Sequence, residues 1–148
     1  MSNKGISLHT IDGINYLLTN GPDFISKHLR EGNVWEPRTL EVSRKLINKI
    51  ESPVLIDIGA NLGAWSIPMG RFIKGKKGEI YSFEPQRQVF YQLCSNVFIN
   101  NITNCYTYNI AVGDFTGVVD VPVLDIFNCI NVGALSLSEQ IRQQQNIF

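Results

Sequence analysis

Three observations predict an α/β fold built on a Rossmann-like parallel sheet. From residue 53 onward, apolar strand-like runs alternate with helical stretches, the order that yields parallel strands joined by right-handed crossovers. The first run, Val54–Ile58 (VLIDI), passes directly into a glycine loop, Gly59-Ala60-Asn61-Leu62-Gly63. The second, Glu79–Phe83, is followed at once by an acid, Glu84, 21 residues after Gly63.

The remaining elements follow in chain order. ISLHT and NYLLT flank Ile11-Asp12-Gly13-Ile14, and Asp-Gly tolerates positive φ at both positions, so residues 6–19 read as a tight hairpin. Gly21-Pro22 breaks its second strand, and residues 23–32 read as a short helix with Phe24, Ile25 and Leu29 inward and Gly32 as its stop. Trp35-Glu36-Pro37 opens another helix, proline being tolerated in a first turn where its missing N–H has no partner to lose. Leu40, Ser43, Ile47 and Ile50 share a face, widened by Val42 and Leu46, that is expected to pack on the sheet.

Val54–Ile58, bounded by Pro53 and Gly59, has the apolar content of a strand buried on both faces. A helix is then expected from Asn61 or Gly63 to Ile73, with Pro68 distorting one turn, ending in the glycine- and lysine-rich segment 74–78. Gln86–Asn100 reads as a helix with Val89, Phe90, Leu93 and Val97 inward, and Cys105–Val112 as a third strand alternating Tyr106, Tyr108 and Ile110. Phe115-Thr116-Gly117 reads as a turn, and Val118–Leu124 as a strand that Pro122 confines to an edge or bulge. Residues 139–148 are glutamine-rich and polar, the composition of a poorly ordered tail. Residues 1–50 thus form a hairpin and helices packing on the sheet, and 51–148 the sheet domain.

Composition narrows the function classes. In 148 residues, 13 basic side chains balance 13 acidic ones, so no net field draws the chain to nucleic acid or an anionic membrane, and neither is expected as a partner. Lys74, Lys76 and Lys77, beside glycines, read as a solvated helix end. No run approaches the ~20 apolar residues of a membrane span, and His9, Thr10, Asp12 and Asn15 interrupt any signal-like run. Cys94, Cys105 and Cys129 are odd in number and lack metal-ligand spacing, which predicts free thiols in the cytoplasm and no metal site.

The chemistry concentrates around the loop. Gly59 and Gly63 let backbone approach a ligand and tighten the strand-to-helix turn. Asp57 is an acid within an apolar strand, costly to bury alone. It reads either as an acceptor for loop amides and for the ammonium of an amino-acid ligand, or as a structural acid fixing the loop. Glu84 reads as an acceptor for both ribose hydroxyls of an adenosine, or as an ordinary acid at a helix start. GANLG lacks the middle glycine of GxGxxG and offers a smaller anion cradle, which favours a nucleoside ligand without phosphates over NAD. S-adenosylmethionine is such a ligand.

WEP, VLIDIGANLGAWSIPMG, IYSFEPQ, SNVFINN, YNIAVGDFTG and NVGALSLS, over roughly residues 24–138, together resemble the FkbM family of S-adenosylmethionine-dependent methyltransferases. The resemblance implies a class I methyltransferase fold and methyl transfer to a hydroxyl of a sugar, glycan or other small metabolite. By position it implies that Asp57, Gly59, Ala60, Asn61 and Gly63 line the methionine and adenosine side of the pocket, and that Glu84 holds the ribose. Ala111 is implied at the adenine edge, with Asp114 as a second candidate, and Glu36 as an acid reaching the cofactor. Trp35-Glu36 reads equally well as a packing aromatic beside a helix cap.

The family's Lys-Ile-Asp-x-Glu-Gly strand has no counterpart, and neither His9 nor His28 qualifies as a general base, so no catalytic residue is assigned. The fold is therefore expected to be truncated after the third parallel strand and a following hairpin, residues 51–148 forming the first half of the cofactor-binding domain. An O-methyltransferase, one piece of a split enzyme and a non-catalytic cofactor-binding remnant stay open, with a half-domain of an NAD-linked oxidoreductase disfavoured by the loop. An unpaired edge on the first strand would invite self-association or a complementing C-terminal chain.

Overall fold

A computed structural model describes residues 5–136; the tail 139–148 and the end of NVGALSLS lie outside the described residues. Asp12 and Gly13 take φ values of 49° and 71°, and this turn pairs β1 (Ile6–Ile11) antiparallel with β2 (Ile14–Thr19). Asp23 caps α1 (Phe24–Arg30), its Oδ2 accepting from the Ser26 amide at 2.9 Å. Ser26 and Leu29 set the inner face, and Phe24 is exposed, contrary to expectation. The first residue of so short a helix takes its direction from the cap, and the Phe24 amide is tied to the Ile130 carbonyl.

Pro37 opens α2 (Pro37–Ile47), as predicted. Its inward face is narrower than expected: Leu40 is buried, whereas Val42, Leu46 and Ile50 are exposed. Leu40 packs with Met69 and Ile73 of the next helix and with Ile80, so α2 leans mainly on a helix rather than on the sheet.

β3 (Val54–Ile58), β4 (Glu79–Phe83) and β5 (Cys105–Tyr108) form a parallel sheet in the order β3-β4-β5 among the described residues. α3 (Ser66–Lys74) and α4 (Arg87–Ile99) make the crossovers and pack on one face, over Ile80 and Ser82, both fully buried. Val89, Leu93 and Asn96 point inward from α4, with Phe90 and Val97 half-buried.

Four expectations are corrected here. β3 is buried on one face only: Val54, Ile56 and Ile58 are 62–64% exposed because no described element covers that side. The rings of Tyr81 and Phe83 stack on Tyr106 and Tyr108, at 5.2 Å in each case, across the same open face. α3 begins at Ser66, after the left-handed turn at Asn61 and Gly63, so Pro68 falls in its first turn and distorts nothing. β5 stops at Tyr108 because Asn109 Nδ2 donates to the Glu84 carbonyl, the acceptor that the next rung of the parallel ladder would need, and also to the Pro85 carbonyl. Residues 118–124 form no strand, and among the described residues no hairpin follows β5 and no strand is present for them to pair with.

The hairpin is fastened to this layer by amide side chains of α4. Asn96 Oδ1 accepts from the Leu17 amide at 2.7 Å while its Nδ2 donates to the Leu62 carbonyl at 3.0 Å. Gln92 donates to the Leu17 carbonyl, and Asn100 both accepts from and donates to the Asn15 backbone. Behind them Leu18, Leu29, Leu62 and Ile67 form the apolar core joining hairpin, α1 and loop. No helix among the described residues is long and apolar enough to cross a membrane.

A candidate ligand cleft at the end of β3

Gly59, at φ 81°, turns the chain out of β3, and a Cβ there would meet nothing within 4 Å. Asn61 continues the turn at φ 50°. The backbone amides of Gly59 and Ala60 both donate to the Phe83 carbonyl at 2.9 Å. Asn61 N donates to Glu84 Oε2, Leu62 N to the side-chain oxygen of Asn61, and Gly63 N to the Ala60 carbonyl. Every amide of the loop is thus satisfied within the protein, and none goes to Asp57, contrary to one part of the expectation for that acid.

The loop bounds an open cleft of about 500 Å³ that brings together Glu36, Asp57, Gly59, Ala60 and Asn61. Trp35, Trp65 and Ile25 supply apolar walls, and no lysine, arginine or histidine among the described residues lines it. Glu36 occupies the N-cap position of α2 at φ 42° but makes no side-chain cap bond, leaving its exposed carboxylate on the cleft. Beside it Trp35 packs edge-on against His28 at 5.5 Å, so the dipeptide divides between packing and cleft. Asp57 is half-buried, and desolvation pushes its carboxyl above its ordinary 3.8, opposed by a hydrogen bond from Ser66 Oγ.

Glu84 stands behind the loop, only 3% exposed. Oε2 accepts from Asn61 N and Oε1 from Gln86 N, each at 2.9 Å. Burial pushes its carboxyl upward from 4.5 while the two amides pull it down and Asp57 nearby adds repulsion. In this geometry the carboxylate holds the loop and does not face open space. Gly63 is a packing position: at φ 93°, a Cβ would lie 2.8 Å from Ile67 Cδ1 and 3.0 Å from Leu93 Cδ1. Ala111 lines a separate, largely apolar cavity of about 650 Å³ on the far side of Pro85, and Asp114 is exposed and lines neither space.

Sequence reasoning missed several residues that build the cleft. Asp23 Oδ1 accepts from the Val132 amide at 3.1 Å, and Gln86 Nε2 donates to the Val132 carbonyl at 2.9 Å. Together with the bond from Phe24 N to the Ile130 carbonyl, these straps lay residues 130–134 along the cleft mouth. Gly133 there approaches Asn61 so closely that a Cβ would lie 2.9 Å from its Nδ2. Ser66 and Ser82, both fully buried, were legible only as polar residues on apolar surfaces.

No protein-family model matches the chain, and no curated protein does, so the FkbM resemblance rests on its motifs alone. Solved structures do match. PH0793 of Pyrococcus horikoshii, described as a transferase, is 20% identical with a TM-score of 0.51, covering 74% of this chain and 37% of its own. P. horikoshii TYW2, solved in complex with MeSAdo, is 20% identical with a TM-score of 0.52, covering 78% and 39% respectively. The chain therefore spans less than two fifths of the length of these proteins. Its fold is the Rossmann-like α/β fold of class I methyltransferases.

Proposed function

We propose that the cleft binds S-adenosylmethionine and that the chain is the cofactor-binding part of a methyltransferase. The observation that carries this reading is the internal satisfaction of all the loop amides beside two cleft carboxylates. A pyrophosphate is cradled by free loop N–H groups or basic side chains, whereas the Gly59–Gly63 loop leaves no amide free and no described lining residue is basic. A ligand with cationic sulfonium and ammonium groups suits Glu36 and Asp57. A volume of about 500 Å³ also falls within the range, ~300–1,000 Å³, of ligand pockets. The known fold and a structural relative solved with MeSAdo support the same ligand class.

In this reading Asp57 accepts from the ligand ammonium, Gly59 admits it close to the backbone, and Glu84 keeps Asn61 in its left-handed turn. Ala111, which lines the separate cavity, has no part in this cleft. Bound S-adenosylmethionine supplies an electrophilic methyl group. The proposed acceptor, following the FkbM resemblance, is a hydroxyl of a sugar or other small metabolite, and the balanced charge favours such an acceptor over nucleic acid. Three unbridged cysteines fit a cytoplasmic setting. The β3 edge, unpaired among the described residues, is the proposed contact for a second copy or a complementing chain.

Calorimetric titration with S-adenosylmethionine and, separately, NAD tests the ligand. Binding of the first alone, weakened at least tenfold by Asp57→Asn, is expected. Equal affinity for NAD, or no heat at millimolar S-adenosylmethionine, overturns the reading.

A further inference from the structure

We infer that Ser66 and Ser82 are positioning residues for Asp57, forming with Cys105 a one-way hydrogen-bond chain that aims its carboxylate at the cationic end of the ligand. The inference rests on the cleft's reading as an S-adenosylmethionine site and deepens it. The sheet register places Ser82 directly beside Asp57, and the first residue of α3 drops Ser66 between them. Ser66 Oγ lies 2.5 Å from Asp57 Oδ2 and 2.7 Å from Ser82 Oγ, which lies 3.5 Å from Cys105 Sγ.

Proton counting fixes the direction. An ionised carboxylate only accepts, and each hydroxyl has a single proton to give. Ser66 therefore spends its proton on Asp57 and must accept from Ser82. Ser82 in turn has none left for Cys105 and must accept from the thiol. The Cys105 thiol is kept protonated by burial and by the charge of Asp57, which suits the donor role. Two hydroxyls at 0% exposure between a sheet and a helix are expensive unless bonded, and an apolar contact would fill the same space without them. This chain ends on a carboxylate lining the cleft instead of closing on itself. Asp57 is thereby held from its buried side, leaving its outer oxygen for the ligand.

The test has two arms on the full chain. First, ¹³C NMR titration of the Asp57 carboxyl without ligand compares wild type, Ser66→Ala, Ser66→Thr and Ser82→Ala. The alanine variants are expected to raise the Asp57 pKa, by about one unit for Ser66→Ala, with Ser66→Thr close to wild type. Second, calorimetry compares S-adenosylhomocysteine, which carries the ammonium, with 5′-methylthioadenosine, which lacks the amino-acid end. Ser66→Ala is expected to weaken the former about tenfold, the equivalent of one pKa unit, and to leave the latter unchanged. An unmoved Asp57 titration in both alanine variants, or an equal loss for both ligands, overturns the inference. A wild type whose S-adenosylhomocysteine affinity ignores Asp57→Asn overturns instead the ligand reading, while the NMR arm still decides the chain. Should Ser66→Ala not fold, Ser82→Ala and Ser66→Thr carry the same comparison.

Discussion

Glu84→Gln keeps the size and shape of the loop anchor and removes one acceptor. In the wild type the two carboxylate oxygens take one backbone amide each, at 2.9 Å, at a position 3% exposed. Glutamine can accept from only one of the two, and its NH₂ faces the other as donor against donor. Leaving a buried N–H unpaired costs about 1–3 kcal/mol, and the surviving bond falls from charge-assisted to neutral strength, about 1 kcal/mol more. Relief of the carboxylate's desolvation offsets part of this, so the expected loss is about 2–3 kcal/mol at pH 7.

Urea denaturation, followed through Trp35 and Trp65, which line the cleft, measures it. The pH dependence supplies a second check. Burial raises Glu84 above 4.5 in the folded chain, so over the range above 4.5 the folded state holds a proton that the unfolded state has lost. This contribution to stability is full below 4.5 and disappears as pH rises through the folded value. Glutamine does not titrate, so the stability gap between the proteins narrows from pH 4 to pH 7. A loss below about 0.5 kcal/mol, or a gap that widens with pH, would refute the anchoring role.

Two further substitutions probe the supports of the cleft. Gly63→Ala forces a Cβ to within 2.8 Å of Ile67 Cδ1 at φ 93°, and left-handed strain plus overpacking predict a loss of about 2–4 kcal/mol by thermal melting; a melting point within a degree of wild type would show that the site relaxes freely. Asn96→Leu strands the Leu17 amide and Leu62 carbonyl, for about 2–3 kcal/mol, and Leu17 should exchange its amide hydrogen faster; unchanged protection at Leu17 would mean the hairpin is held by its apolar contacts alone.

The local rules that succeeded are those whose cause lies within a few residues. Asp12-Gly13 fixed the hairpin register, Pro37 the start of α2, and Pro53 and Gly59 the ends of β3. Periodicity failed where the answer depended on a remote layer. VLIDI reads as apolar but for Asp57, yet its exposed face is set by which elements arrive to cover it. Tyr106, Tyr108 and Ile110 alternate like a strand, but the Asn109 side chain takes the Glu84 carbonyl and ends the ladder. The site divides the same way. Asp57, Gly59, Ala60, Asn61 and Glu36 do meet in one cleft, whereas Gly63 serves packing and Ala111 faces another cavity. Asp23 Oδ1, Gln86 Nε2 and Ser82 act through partners many residues away, and the only local sign among them is the capping of α1 by the other oxygen of Asp23.

The strap over the cleft also has a meaning in time. Asp23 waits for Val132, 109 residues later in the chain. At ribosomal rates of ~5–20 residues per second, that separation is roughly 5–20 s of synthesis. The hairpin, α1 and the glycine loop can meet during that interval, leaving the cap of α1 with one carboxylate oxygen committed to Ser26 and the other waiting. The nascent chain thus passes through a stage with the loop built and the mouth unwalled. Among the described residues, this wall of the cleft is the last to leave the ribosome.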